Sequence, residues 1–138
     1  MKRLALLFVA CIALIGSGAA VAQTPAADMV VTIAETPELG QFLADAEGMT
    51  LYIFMNDEPG VSNCDGDCAA NWPPFVADDI SSLPEGFVGE LAMITRSDGS
   101  EQVAYNGWPL YYWVQDMAPG DTTGHEVGDV WFVAEVGE

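Results

Sequence analysis

One ten-residue motif occurs twice in this chain, from Gly48 to Asp57 and again from Gly107 to Asp116. Six pairs of like residues keep a constant spacing of 59 positions: Gly48 and Gly107, Leu51 and Leu110, Tyr52 and Tyr111, Phe54 and Trp113, Asp57 and Asp116, and Trp72 and Trp131. Self-similarity of this length is typical of one supersecondary unit used twice. The repeat therefore constrains the architecture before any single residue is considered.

Short β-branched or apolar segments surround each copy of the motif and alternate with turns rich in Gly and Pro. The predicted strands are residues 29–34, 39–45, 50–55, 91–95, 102–105, 110–114 and 130–136. This pattern predicts an all-β fold, a compact sandwich or small barrel in which two pseudo-symmetric repeats share one core. One short helical turn is expected from Cys68 to Trp72, because Pro73 and Pro74 disfavour any longer helix.

The first 22 residues have the composition of a secretory signal peptide. Lys2 and Arg3 precede an apolar run from Leu4 to Ile15, and small residues lead to a cleavage site between Ala22 and Gln23. The run is shorter than the roughly 20 apolar residues that a transmembrane helix needs, and no later stretch reaches that length. We therefore expect a periplasmic or secreted protein without a transmembrane span.

A second interpretation places a lipid anchor on Cys11, because Val9-Ala10-Cys11 resembles a lipoprotein cleavage site. The apolar run continues past Cys11 to Ile15, and Phe8 is a poor residue at its position in such a site. Lipid anchoring at Cys11 is therefore disfavoured.

The mature chain has the length of one domain. Residues 23–28 predict a mobile leader, because they are Ala, Thr, Pro, Gln and Asp with little to bury. Residues 29–138 then form a single two-repeat domain, with repeat one at about 29–77 and repeat two at about 90–136. A chain of this size supports one modest core, so the two repeats must share it.

The mature chain is strongly acidic. Lys2 and Arg3 leave with the signal peptide, so Arg96 is the only fixed base against 21 carboxylates and the formal charge is near −20. Such a surface repels nucleic acid and anionic lipid, and neither is an expected partner. Solubility or tolerance of salt explains the charge most simply, and a cationic partner or ligand is the alternative. We expect a monomer.

Cys64 and Cys68 are the two cysteines of the mature chain, and in an oxidising compartment they predict a disulfide. Closing a loop this short stabilises by about 2 kcal/mol in the chain-entropy model, so the disulfide fixes a local turn. A redox role is the alternative. It is weakened because the pair lacks the two-residue gap of thioredoxin-like motifs and no base lies nearby to activate a thiol.

The loop from Asp57 to Cys68 carries acidic residues that a hard cation would accept as ligands. Asp57, Asp65 and Asp67 are the candidate calcium ligands, although their spacing does not match an EF-hand loop. A zinc site is not expected, because the mature chain has one cysteine pair and a single histidine. We predict no resident cofactor and keep calcium as a hypothesis.

The motif aromatics should share one face of each strand. A period of two places Tyr52 with Phe54 and Tyr111 with Trp113, away from Leu51 and its equivalent. The structural interpretation is core packing with cross-strand aromatic pairs. The functional alternative is a stacking surface for a flat or sugar-like ligand.

Asp57 and Asp116 each end a strand before a Pro-Gly loop, at Pro59-Gly60 and Pro119-Gly120. A carboxylate at that place can accept hydrogen bonds from loop amides and fix the turn. Paired carboxylates can also perform acid-base chemistry, but only at a defined separation and with different pKa values. The turn-fixing interpretation is the simpler one.

Both motif copies, with their flanking residues, point to one family. The first copy comprises Leu51–Asp57, Pro59–Ala69 and Asn71–Pro74, and the second comprises Tyr105–Asp116, Pro119–Asp121 and Gly124. Together they resemble the bacterial secreted-repeat family of unknown function, the predicted lipoproteins with a YxFxxD-type motif. The resemblance covers residues from about Ile33 to Val136.

The resemblance implies an exported bacterial domain whose biochemical role is not established, and it supplies no catalytic residues. Many relatives look lipid-anchored, whereas this cleavage site resembles that of an unanchored protein. We therefore predict a non-enzymatic binding or accessory module. The alternative is a redox or metal-linked electron-transfer accessory protein that uses Cys64 and Cys68 or a bound cation.

Overall fold

A computed structural model gives the structure of residues 29–137. The predicted signal peptide, its cleavage site, Cys11 and the leader lie outside the described residues. The elements in chain order are β1 (Val31–Thr36), β2 (Gly40–Asp45), β3 (Tyr52–Phe54), α1 (Asp67–Asn71), β4 (Leu91–Thr95), β5 (Glu101–Tyr105), β6 (Trp108–Pro109), a 3-10 turn (Val127–Asp129) and β7 (Trp131–Val133). In this range, neither helix has the length and apolar character needed to cross a bilayer.

The strands form three small antiparallel sheets, with orders β1-β2, β3-β7 and β4-β5-β6. The predicted all-β class is therefore confirmed, and no barrel closes within residues 29–137. The short α-helix Asp67–Asn71, the one α-helix within residues 29–137, lies where the helical turn was predicted. Each repeat begins with one hairpin, β1-β2 in the first and β4-β5 in the second.

Asn106 and Gly107 form the turn between β5 and β6, where Tyr105 pairs with Trp108. Both turn residues have positive φ, 51° and 91°, which is the conformation that favours Asn-Gly in a two-residue hairpin. The first repeat has a longer turn after β2. In this turn the Asp45 amide donates a hydrogen bond to the Met49 carbonyl. The main pairing partner of β2 is β1.

The closing segment of each repeat pairs with the other repeat. At the end of repeat two, β7 pairs with β3 of repeat one, so that Ile53 lies opposite Phe132. At the end of repeat one, the Pro73 carbonyl accepts a hydrogen bond from the Tyr112 amide of repeat two at 2.7 Å. The two repeats have therefore exchanged their final segments.

The same exchange is repeated at the hairpins. The Leu43 amide donates to the Ala134 carbonyl at 2.9 Å, and its counterpart Val103 donates to the Phe75 carbonyl at 2.9 Å. Phe75 and Ala134 keep the spacing of 59 residues. Each hairpin is therefore completed by a residue of the opposite repeat.

Tyr52 and Tyr111 lie at the pseudo-two-fold axis. The Tyr52 amide donates to the Tyr111 carbonyl at 2.9 Å, and the Tyr111 amide donates back to the Tyr52 carbonyl at 3.0 Å. Residues 73 and 74, at the positions equivalent to Phe132 and Val133, are prolines without an amide hydrogen, so only isolated bridges form on that side.

Alternate residues of the motif strands face two separate hydrophobic clusters, as their period of two predicts. Leu51 and Leu110 belong to the first cluster, with Val31, Leu43, Phe75, Val103, Tyr105 and Ala134. The motif aromatics belong to the second cluster, with Phe42, Cys64, Trp72, Trp131 and Val133. Both clusters include residues of the two repeats, so neither repeat has a core of its own.

We predict that neither repeat folds alone. Peptides of residues 29–89 and 90–137 each lack the segment that closes their motif strand, and chains this short are marginal even with a complete core. Far-ultraviolet circular dichroism should show each peptide to be unfolded, and mixing the two should restore the spectrum of the whole domain. A folded spectrum from either peptide alone would contradict the conclusion that each repeat needs the closing segment of the other in order to fold.

Candidate functional site

Four aromatic rings, here called the aromatic column, stack face to face through the second cluster. Their order is Phe54, Trp131, Trp72 and Trp113, and consecutive ring centroids are separated by 4.2, 3.7 and 4.0 Å. The two central indoles are parallel to within 1°. Because Phe54 and Trp113 are equivalent in the repeats, as are Trp72 and Trp131, the column follows the pseudo-symmetry.

Each central indole also contacts a tyrosine ring. The ring centroids of Tyr52 and Trp72 are 5.5 Å apart, and those of the equivalent pair, Tyr111 and Trp131, are 5.1 Å apart. Both contacts are T-shaped, an arrangement that adds about 0.5–1.5 kcal/mol beyond burial. Ring contacts therefore link all six repeated aromatic residues.

Each tyrosine hydroxyl binds the aspartate of the other repeat. Tyr52 Oη donates to Asp116 Oδ2 at 2.7 Å, and Tyr111 Oη donates to Asp57 Oδ2 at 2.6 Å. All four side chains are buried. These reciprocal Tyr–Asp pairs join the two repeats through charge-assisted hydrogen bonds, which are stronger than neutral ones.

The second oxygen of each aspartate holds the loop that follows. Asp57 Oδ1 accepts from the Asn63 amide at 2.6 Å, and Asp116 Oδ1 accepts from the Thr123 amide at 3.0 Å. The turn-fixing role predicted from sequence is therefore present in the geometry. The same carboxylates also carry the contact between repeats, which the sequence did not reveal.

Burial sets the protonation of these pairs. It raises the pKa of Tyr52 and Tyr111 above that of an ordinary phenol, and the bond to a carboxylate raises it further. Burial also raises the pKa of Asp57, although the Tyr111 hydroxyl, the Asn63 amide and the Arg96 charge partly offset this effect. Both phenols therefore stay protonated and donate to their carboxylates.

Gly124 allows the column to form. A Cβ at this position would lie 2.9 Å from the Trp72 ring and 3.0 Å from Trp113. Its amide also donates to Tyr52 Oη at 3.1 Å. The glycine is therefore required by the close approach of two column rings.

Arg96 is buried and points inward. It donates to Ser62 Oγ at 3.0 Å, to Gln102 Oε1 at 2.8 Å and to the carbonyl of Cys64 at 2.6 Å. Cys64 forms the predicted disulfide with Cys68. The only arginine of the described domain thus holds the disulfide loop against β5 instead of pairing with surface carboxylates.

The candidate calcium ligands do not converge. Asp57 is turned inward to Tyr111, and Asp65 Oδ2 accepts from Ser97 Oγ at 3.3 Å. Within residues 29–137, no three side chains of His, Cys, Asp or Glu lie together as a metal site would require. Calcium binding that involves Asp65 or Asp67 stays a hypothesis.

Two surface cavities lie at pseudo-equivalent places. The acidic cavity has a volume of about 360 Å³ and is lined by Met29, Val30, Asp45, Ala46, Glu47, Phe75, Val76, Ala77, Asp79, Ser82 and Tyr112. The apolar cavity has a volume of about 400 Å³ and is lined by Ile53, Met55, Tyr105, Trp108, Phe132, Val133, Ala134 and Glu135. Phe75 and Ala134 are equivalent in the repeats, as are Tyr112 and Ile53.

A protein-family model described as a secreted repeat of unknown function matches residues 34–76 and again residues 92–135. The chain belongs to this secreted-repeat family. Its description supports the predicted secreted location, and the two matched ranges each contain one copy of the motif. Searches of curated proteins and of solved structures found no match.

The secreted-repeat motif is therefore mostly scaffold in this chain. The six repeated aromatic residues and the two aspartates, Asp57 and Asp116, contact each other across the pseudo-two-fold axis, and all of them except Trp113 are buried. Sequence reasoning missed the inward position of Arg96 and both cavities. The available signal for Arg96 was that the predicted mature chain has a single arginine and 21 carboxylates. The cavities are formed by residues that are distant in sequence.

We predict that Arg96→Met lowers the free energy of unfolding by about 3 kcal/mol, because buried acceptors on Cys64 and Gln102 lose their donor. Denaturant titration measures the change. Gln41→Glu is the matched control, since it makes the same change in net charge at an exposed strand position that is Glu101 in the second repeat. Equal losses in the two variants would assign the effect to charge alone.

The raised tyrosine pKa values predict cooperative alkaline unfolding. Burial also raises the pKa of Tyr112, whose hydroxyl donates to Asp45 at 2.7 Å. A raised folded-state pKa contributes stability that is fully present below about pH 10 and is lost as pH rises toward the folded value. In a Tyr105→Phe background, tyrosinate absorbance should therefore appear together with loss of the near-ultraviolet circular dichroism. Tyrosinate absorbance that develops while that signal is intact would contradict the prediction.

Proposed function

We propose that this domain is a non-enzymatic binding module that takes a small apolar molecule, neutral or positively charged, in its apolar cavity. The supporting observation is the cavity itself, since its volume of about 400 Å³ suits a small organic ligand. Half-buried Ile53, Trp108 and Phe132 supply apolar surface, and Met55 is 38% exposed at the same place.

The polar groups of the repeat motif are already engaged in holding the fold. Asp57 and Asp116 each bind a tyrosine and a loop amide, and Arg96 binds the disulfide loop. These contacts favour a scaffold role over acid-base chemistry. Binding is therefore better sought where the two repeats differ.

The two cavities differ in that way. Position 45 of the first repeat is an aspartate whose structural equivalent is Tyr105, because Asp45 pairs with Val31 as Tyr105 pairs with Leu91. The acidic cavity is therefore lined by Asp45 at the position where the apolar cavity is lined by Tyr105. The same scaffold thus presents two different surfaces, and only the second offers extensive apolar contact.

Charge narrows the class of ligand. Glu135 lines the apolar cavity, and the predicted mature chain carries one base against 21 carboxylates. The field of such a protein opposes anions and favours cations. The aromatic rings of Trp108 and Phe132 in its lining also suit a cationic ligand.

The thiol-redox alternative gains little from the geometry. Cys64 is fully buried, and the Arg96 guanidinium holds its carbonyl. A disulfide with one fully buried sulfur in a supported loop is typical of a structural role rather than a catalytic one.

We predict that the neutral dye N-phenylnaphthylamine binds saturably with a rise in fluorescence. Met55→Gln should weaken that binding about fivefold, because it removes about 1 kcal/mol of apolar contact. Val114→Gln is the matched control, since Val114 is the repeat equivalent of Met55, is 46% exposed and does not line the cavity.

The anionic dye anilinonaphthalene sulfonate should bind more weakly than the neutral dye at low salt. Equal weakening by Met55→Gln and Val114→Gln would show that the dye does not occupy the apolar cavity. Absence of saturable binding would contradict the proposed function.

A further inference from the structure

We propose that the aromatic column relays single electrons between the protein surface at Trp113 and the buried tyrosines, with a positively charged one-electron oxidant as the external partner. This inference uses residues other than those of the apolar cavity. It stands or falls independently of the proposed function.

The three indoles of the column are in direct stacking contact, one after another. Trp113 stacks on Trp72 at 4.0 Å, and Trp72 stacks on Trp131 at 3.7 Å. Indole and phenol are the protein side chains that release one electron most readily, and face-to-face contact at these distances allows their π orbitals to overlap. An indole that has lost one electron can therefore take an electron from the indole stacked on it.

The two ends of the column differ in a way that fixes the point of entry. Phe54 and Trp113 are equivalent in the repeats, but the phenylalanine ring is buried and hard to oxidise, whereas Trp113 is half-buried. Only the Trp113 end is both oxidisable and accessible to an external partner. In this pseudo-symmetric domain, an external oxidant can therefore reach the column only at Trp113.

The Tyr–Asp pairs complete the chemistry. When the oxidant takes one electron from Trp113, the Trp113 radical cation takes one electron from Trp72. The Trp72 radical cation then takes one electron from Tyr52. The phenolic proton moves from Tyr52 Oη along the existing 2.7 Å hydrogen bond to Asp116 Oδ2. The products are a neutral tyrosyl radical, a neutral carboxylic acid and an oxidant reduced by one electron.

A second pair extends the path from Trp131 to Tyr111, whose proton would move to Asp57 over 2.6 Å. Burial raises the pKa of Tyr111, so the phenol is protonated before oxidation and its proton is released on oxidation. Burial also raises the pKa of Asp57, which makes that carboxylate a better acceptor. A one-electron donor at Trp113 reverses each step and returns the proton.

The charge of the domain selects the partner. Arg96 is the only fixed base in the described range, and it is buried among neutral acceptors. The many surface carboxylates therefore lack a matching lysine or arginine, which favours association with a cationic partner. Tris(bipyridine)ruthenium(III), generated by a light flash, is a cationic one-electron oxidant suited to the test.

Transient absorption after the flash separates the two radicals by their bands. In the natural sequence we expect a tryptophanyl radical that converts to a tyrosyl radical. Trp113→Phe keeps a ring at the surface but removes the oxidisable end, so tyrosyl formation should fall severalfold. Asp116→Asn in a Tyr111→Phe background should slow tyrosyl formation by about a hundredfold, because it removes the positioned proton acceptor.

Tyr112→Phe is the matched control. Tyr112 also donates to a buried aspartate, Asp45, but its ring contact is with Phe75 and not with the column. The control should leave radical transfer unchanged, whereas loss of Tyr52 and Tyr111 together should abolish the tyrosyl band. Near-ultraviolet circular dichroism confirms that each variant is folded.

A tryptophanyl radical that decays without any tyrosyl band in the natural sequence would overturn the proposal. So would tyrosyl formation that is unchanged by Trp113→Phe, or that is lost equally in Tyr112→Phe. Because Trp113 lies at the end of the column, its variant keeps the test valid even where the buried double variant does not fold.

Discussion

Each repeat of this domain depends on the other for the hydrogen bonds of its central strand. The final segment of one repeat covers the motif strand of its counterpart, and the Tyr–Asp pairs cross at the same place. A buried carboxylate and a buried phenol each cost free energy unless they have a partner. Since both partners come from opposite halves, folding and association of the repeats are one event.

Much of this architecture was predictable from periodicity. The constant spacing identifies the two repeats, and the alternation of aromatic and aliphatic residues identifies the two faces of the motif strands that carry Tyr52 and Tyr111. The exchange of closing segments was not predictable, since sequence spacing does not say which copy of a strand receives Trp131. Pro73 and Pro74 further hide one closing segment, because they remove the amide donors of a regular strand. The disulfide of Cys64 with Cys68 followed from local counting alone.

The candidate sites show the same division between local and distant signals. Turn fixation by Asp57 is a local property and could be predicted from the Pro-Gly loop after it. The apolar cavity joins Ile53, Trp108 and Phe132 from three parts of the chain, and no local pattern places them together. Where the repeats are alike they build the shared core, and where they differ they present distinct surfaces.

The inward arginine has a consequence for survival outside the cell. After removal of the predicted signal peptide, Arg96 is the only residue at which a trypsin-like protease can cut, because the chain then contains no lysine. Only 7% of Arg96 is exposed, and its guanidinium is held by three acceptors. The folded domain therefore holds this side chain away from such proteases, and digestion must wait until the segment around Arg96 opens.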